Sequence, residues 1–141
     1  MRRIIIADDH ILIRTGLIQI LLKEFPSAII EQTNDAGELM RKVLSDEWDL
    51  VITDISMPGK SGLEILQEIN LHAPALPVLV LSMFPEEQYA IRALKAGASG
   101  YLNKMSAPEE IIKAINCVSL GKKYITPAIA EIGRASCRER V

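Results

Sequence analysis

Five apolar runs punctuate the chain, and after each one apolar residues recur at helical spacing. Residues 3–7 are rich in β-branched side chains and stop at Asp8-Asp9-His10; Ile13, Leu17, Ile20 and Leu21 then predict a helix up to Glu24, which Pro26 cannot continue. A short strand is predicted over 28–31, and Asn34 or Asp35 can cap a helix to about Ser45 whose buried face holds Leu39, Val43 and Leu44. Residues 50–54 form an apolar run that ends in Asp54, and Pro58-Gly59 turns the chain toward a helix introduced by Ser61 and Gly62 and carrying Leu63, Leu66 and Ile69 as far as His72 and Pro74. Pro77 opens the continuous apolar strand 78–82; Pro85 starts a helix through Ile91 and Leu94 that Gly97 stops. Strand 100–103 precedes Lys104, and a last helix from near Pro108 carries Ile111, Ile112, Ile115 and Val118 to Gly121.

Five strands alternating with five helices predict an α/β fold, a doubly wound parallel sheet with helices on both faces, because right-handed crossovers pack in no other way. The order 2-1-3-4-5, flavodoxin-like, is borrowed from the commonest sheets of this length rather than dictated by the pattern.

Composition narrows the class. With 141 residues, 49% hydrophobic and 4% aromatic, the chain suits one domain with an aliphatic core. No apolar run reaches bilayer length and no signal peptide opens the chain, so a cytoplasmic protein without membrane attachment is expected. Cys117 and Cys137 lack metal-ligand spacing and read as free thiols. His10 and His72 read as surface or helix-terminal residues without metal-site company, and Trp48 as a cover for the core near the third strand. The formal charge is -2; setting aside the last ten residues, with Arg134, Arg138 and Arg140 against Glu139, leaves 13 basic against 17 acidic residues, the wrong sign for a nucleic-acid-binding face.

The predicted order places a topological switch point between the first and third strands, flanked by Asp8, Asp9 and Asp54. Two carboxylates about 4 Å apart repel by roughly 4 kcal/mol at an effective dielectric of ~20, so such a cluster calls for a cation, and an all-oxygen set suits Mg2+. Ser82 and Lys104 end the fourth and fifth strands at the same edge, a hydroxyl and an ammonium able to hold phosphoryl oxygens. Each residue alone has a bland explanation: a helix cap, a strand end, a solvated charge. Four parallel strands each ending in a group that metal-assisted phosphoryl transfer needs is the stronger observation.

These motifs, Ile-Ala-Asp8-Asp9-His, Val-Ile-Thr-Asp54-Ile-Ser-Met-Pro-Gly, Leu81-Ser82 and Gly100-Tyr101-Leu102-Asn103-Lys104, resemble the receiver domain of bacterial two-component response regulators over residues 3–120. The resemblance implies that Asp54 is the phosphoacceptor, that Asp9 and Asp8 with Asp54 and the Ser56 backbone carbonyl hold Mg2+, that Lys104 clamps the phosphate, and that Ser82 and Tyr101 form a switch pair. It implies a sensor histidine kinase as phosphodonor, room for a homodimer on phosphorylation, and no enzymatic activity beyond the domain's own phosphorylation and dephosphorylation. The stretch 97–101 and the ending Gly121-Lys-Lys-Tyr124-Ile125 look most like LuxR/NarL-type regulators, whose helix-turn-helix output binds DNA and would be missing here. The expected organisation is a receiver over 1–122, the start of a linker over 123–132 and a non-native tail over 133–141. Met105 departs from the family's frequent proline after the lysine. Two alternatives stay open: a phosphorylation-independent adaptor of the same fold, and an aspartyl-phosphate phosphatase, which would want an Asp-x-Asp motif after the first strand where this chain has Asp8-Asp9-His10.

Overall fold

The computed structural model describes residues 2–55, 61–83, 86–126 and 129–130. Strands and helices alternate: β1 (Arg3–Ala7), α1 (Ile11–Glu24), β2 (Ile29–Thr33), α2 (Ala36–Ser45), β3 (Leu50–Asp54), α3 (Gly62–His72), β4 (Val78–Ser82), α4 (Glu86–Lys95), β5 (Gly100–Asn103) and α5 (Ala107–Ser119). The five strands form one parallel sheet in the order β2-β1-β3-β4-β5, as expected.

Period-two alternation sorts the strand residues onto two apolar layers. Ile5, Val51, Val80 and Tyr101 face α2, α3 and α4, whereas Ile4, Ile6, Ile52, Leu79, Leu81 and Leu102 face α1 and α5. β3 and β4 lie inside the sheet and are buried at every position, which explains why they read as unbroken apolar runs. Local signals also act where expected. The Asp35 side chain accepts from the Glu38 N–H at 3.0 Å to start α2, and Ser61 does the same for Glu64 at 3.3 Å in α3. Gly97 (φ 115°) and Gly121 (φ 79°) hold left-handed backbone at the ends of α4 and α5, where a side chain would be strained.

Several expectations change. β2 starts one residue later and ends two residues later than its apolar content suggests, because β1 pairs with it as far as Ala7 opposite Thr33, and an edge strand tolerates polar residues. Leu44 is 59% exposed rather than buried, and in α1 only Leu17 and Leu21 are fully buried while Ile13 and Ile20 are half-buried. Trp48 packs on the α2/α3/α4 layer as expected, its Nε1 donating to the Lys42 carbonyl at 2.8 Å. The Lys104–Met105 bond is trans, since no described peptide is cis. Among the described residues no helix is long and apolar enough to cross a membrane.

After α5 the chain does not leave the domain. Tyr124 makes a parallel bridge to Gly100, its N–H donating to the Ser99 carbonyl at 2.8 Å and its hydroxyl to Glu110 Oε1 at 3.1 Å. Thr126 and Ile129 are buried beyond it, and Ile129 joins the layer that holds Tyr101. A Cβ on Gly100 would lie 3.1 Å from Tyr124 Cβ, so glycine is what lets this segment close on the strand. The segment expected to begin a linker is therefore packed against β5. The expected tail over 133–141 lies outside the described residues.

Candidate functional site

The carboxyl ends of β1, β3, β4 and β5 converge. Asp8 directly follows β1, and its N–H donates to the Thr33 carbonyl at 3.1 Å. Asp54 closes β3 opposite Leu81, Ser82 closes β4, and the Lys104 N–H donates to the Ser82 carbonyl at 2.8 Å, which fixes where the lysine starts. All four side chains are buried: Asp8 and Ser82 at 0% exposure, Asp54 and Lys104 at 3%. Buried charge is tolerated only when paired, and here the pairing is direct. Lys104 Nζ lies 2.8 Å from Asp54 Oδ2 and 3.0 Å from Asp8 Oδ1, one ammonium between two carboxylates. Asp9, the next residue, turns outward to the rim with its side chain 42% exposed.

The helix after β3 is drawn tightly onto the site. Gly62 N–H donates to the Ile55 carbonyl at 2.9 Å, and a Cβ on Gly62 would sit 2.5 Å from Ile55 Cα. Both ends of the intervening loop are thereby fixed next to Asp54. Ser56, whose carbonyl was expected to serve the metal, lies outside the described residues. Tyr101 is fully buried, opposite Val80 in the sheet and in the same layer as Ala90, Ala93 and Ala98. An open groove of about 900 Å³ lined by Trp48, Pro74, Pro77, Ser99 and Lys122 contains none of these groups, so the chemistry is not in that concavity.

One residue corrects the sequence reading. His10, taken to lack metal-site company, belongs to the cluster: its Nδ1 is 3.1 Å from Asp8 Oδ1, 3.2 Å from Asp9 Oδ1 and 3.8 Å from Asp54 Oδ2. It is indeed helix-terminal, the N-cap of α1, with its side chain 53% exposed. Its position directly after two acids is the signal available in the sequence.

The donor set fits a divalent cation on two observations. One ligand atom each from Asp8, Asp9, His10 and Asp54 lies within 4.8 Å of the others. Asp8 Oδ2 is buried without any hydrogen-bond partner, an arrangement that costs about 1 to 3 kcal/mol or more unless something positive satisfies it. Asp8, Asp9 and Asp54 are the carboxylates that would hold Mg2+.

Known proteins share this sequence and fold. Residues 4–116 match the family model of the response regulator receiver domain. The chain is 39% identical over 124 residues to the oxygen regulatory protein NreC of Staphylococcus epidermidis, covering 87% of this chain and 57% of that one. It is 33% identical over 131 residues to the response regulator GacA of Pseudomonas viridiflava, covering 93% and 61%. The chain thus spans about three fifths of the length of these curated relatives. Among solved structures, a LuxR-family two-component response regulator from an Aurantimonas species superposes with a TM-score of 0.84 at 32% identity, covering 96% of this chain and 97% of that one. The non-phosphorylated receiver domain of RcsB from Escherichia coli gives 0.78 at 28% identity, covering 86% and 95%. The chain belongs to the response regulator receiver family, in its LuxR/NarL-type branch.

Proposed function

We propose that this receiver accepts a phosphoryl group on Asp54 from the phosphohistidine of a sensor kinase or from a small phosphodonor, in a Mg2+-dependent reaction. The observation that carries the reading is the buried Lys104 ammonium spanning Asp8 and Asp54 at the carboxyl edge of the sheet. An Asp54 oxygen attacks phosphorus, forming a P–O bond as the P–N bond to the kinase histidine breaks and the imidazole leaves with its electron pair. Bound Mg2+ would supply positive charge to the transferring oxygens and be held by Asp8, Asp9 and Asp54, with the Ser56 carbonyl as a further donor. Lys104, already 2.8 Å from Asp54 Oδ2, is placed to pass from the carboxylate to the phosphoryl oxygens. The domain catalyses only its own modification and is not otherwise an enzyme.

The product adds about -1.5 to -2 of charge at Asp54, going by phosphorylated side chains generally, and oxygens that the Ser82 hydroxyl can hold. Tyr101 occupies the inward position here, and the response is a shift in how long it stays there, read by partners on α4, β5 and α5. Transcriptional output through a DNA-binding domain, homodimerisation on phosphorylation and a cytoplasmic location are carried over from the likeness to NreC, GacA and the LuxR-family regulators. The boundaries proposed for the receiver, 1–122, and for the non-native tail, 133–141, belong to the same reading.

Incubation with Mg2+ and acetyl phosphate followed by intact mass tests the assignment. The chain should gain one phosphoryl group, and Asp54→Asn should gain none. Uptake by the substituted protein at the original rate would move the acceptor elsewhere. Lys104→Ala should keep Mg2+ affinity in isothermal titration and lose the response to phosphate; joint loss of metal binding and folding would make the lysine structural. Gel-shift titration at physiological salt should show no sequence-selective DNA binding by this chain, with or without residues 133–141.

A further inference from the structure

Away from the acidic cluster, a chain of hydrogen bonds leads from the end of β5 to the segment that returns after α5. Lys104 is followed by a closed turn: the Met105 N–H donates to Asn103 Oδ1 at 2.9 Å and the Ser106 N–H to the Asn103 carbonyl at 3.1 Å. The Ser106 hydroxyl donates to Glu110 Oε2 at 3.0 Å, and the Tyr124 hydroxyl donates to Glu110 Oε1 at 3.1 Å. One carboxylate in the first turn of α5 thus holds, with its two oxygens, the turn that carries Lys104 and the residue that closes on β5. The returning segment is fastened on both faces of the sheet. Tyr124 is buried in the α1/α5 layer and bridges Gly100, the residue before Tyr101. Thr126 is buried, its Oγ1 accepting from the Ile129 N–H at 3.2 Å and its carbonyl from the Ala130 N–H at 3.0 Å. Ile129, 1% exposed, lies in the opposite layer with Tyr101, Ala90, Ala93 and Ala98, whereas Ile125 stays half exposed.

We propose that Tyr124, Thr126 and Ile129 form a strap across β5, latched by Glu110, and that docking of this strap and phosphorylation of Asp54 reinforce one another. Phosphorylation draws the Lys104 ammonium onto the phosphoryl oxygens and lengthens the inward stay of Tyr101. The strap is seated against those same two elements, on the turn after Lys104 through Glu110 and in the layer of Tyr101 through Ile129. Docked while Tyr101 is inward, it favours that arrangement over one in which the ring leaves the layer. Coupling of this kind is reciprocal, so a phosphoryl group tightens the strap by the factor with which the strap tightens the site on a phosphoryl mimic. The inference rests on Asp54 being the phosphoacceptor, and intact mass separates the two.

Hydrogen exchange of the Tyr124, Ile129 and Ala130 amides is followed by mass spectrometry on the whole chain with Mg2+, before and after acetyl phosphate, with intact mass in parallel. Exchange should slow by at least about threefold in the phosphorylated chain. Ile129→Ala and Tyr124→Phe should exchange faster in both states and bind beryllofluoride, a phosphoryl mimic, about threefold more weakly in isothermal titration, while still gaining one phosphoryl group, since neither residue touches Asp54. Tyr124→Phe removes a single hydroxyl, so the test stands even where Ile129→Ala loosens the layer. Adding Tyr124→Phe to Glu110→Ala should cost nothing beyond Glu110→Ala alone if the carboxylate is the latch. Ile125→Ser, on the exposed side of the strap, should change neither exchange nor affinity. Unchanged or faster exchange in a fully phosphorylated chain, unchanged beryllofluoride affinity in both strap variants, or additive losses at Glu110 and Tyr124 overturns the inference and leaves the phosphoacceptor standing. Absence of any mass gain by the unsubstituted chain overturns the phosphoacceptor and the inference with it.

Discussion

The two apolar layers of the sheet are packed from different materials. On the α1/α5 side, Ile4, Ile6, Ile52, Leu79, Leu81 and Leu102 meet Leu17, Leu21, Ile111, Ile115 and Val118, large branched side chains beside the smaller Ala107 and Ala114. On the other side, α2 and α3 also supply large residues, but the described fully buried residues of α4 are Ala90 and Ala93, and Ala98 follows them, in the layer of the fully buried Tyr101 ring. Dispersion attraction grows with the number of atoms in contact, and alanine brings one methyl group and no rotamer to lock. The fully buried contacts of α4 are therefore made by smaller side chains than those of α1 and α5, with Tyr89, Ile91 and Leu94 packing at its partly exposed border. That difference lies next to Ser82 and Lys104, where the charge of a phosphoryl group would arrive.

Substitutions can break this comparison. Ile6→Ala, at 0% exposure on the α1/α5 side, should lower unfolding stability by about 2 to 5 kcal/mol in urea titration while leaving acetyl phosphate uptake by the folded fraction unchanged. A matched pair sharpens the point: Ala114 and Ala93 are both fully buried, one on α5 and one on α4. Overpacking costs about 1 to 3 kcal/mol, so Ala114→Val should fall near 3 and Ala93→Val near 1; equal losses would remove the contrast between the layers. Asp35→Ala should cost about 1 kcal/mol through the lost cap of α2 without altering the phosphate response, confining the adaptable part of that layer to α4. Leu12→Ser, at a side chain 89% exposed, should change stability by less than about 0.5 kcal/mol. Thermal or urea melts read the stability of all five variants.

Strands β3 and β4 were legible to the residue because both faces are covered and each opens on an unbroken apolar run that closes on its polar end, Thr53-Asp54 or Ser82. β2 was not, since pairing with β1 carries it through Glu31, Gln32 and Thr33, where hydrophobic pattern is silent. In α1, the stripe of Ile13, Leu17, Ile20 and Leu21 does face the core, although Leu12 and Leu22 beside it are exposed and leave the helix apolar on more than one side. Asp8, Asp54, Ser82 and Lys104 could be placed together from sequence because parallel strands bring all their carboxyl ends to one edge. The division between adjacent acids, Asp8 buried and Asp9 at the rim, and the inward turn of His10 depend on how the chain enters α1, which no residue pattern states.

The parallel bridge between Tyr124 and Gly100 bears on solubility in the free chain. β5 is an outer strand, and outer strands offer unpaired N–H and C=O groups to any other extended chain. Tyr124 occupies part of that row, and Ile129 lies beyond it on the opposite apolar layer from Tyr124, so the segment wraps around the border of the sheet. Cutting the chain between Gly121 and Tyr124 would leave every catalytic group in place and open a ready template for strand addition. A receiver trimmed there is expected to self-associate and precipitate on storage, whereas one retaining Ile129 stays dispersed, a distinction visible by light scattering long before any loss of phosphate uptake.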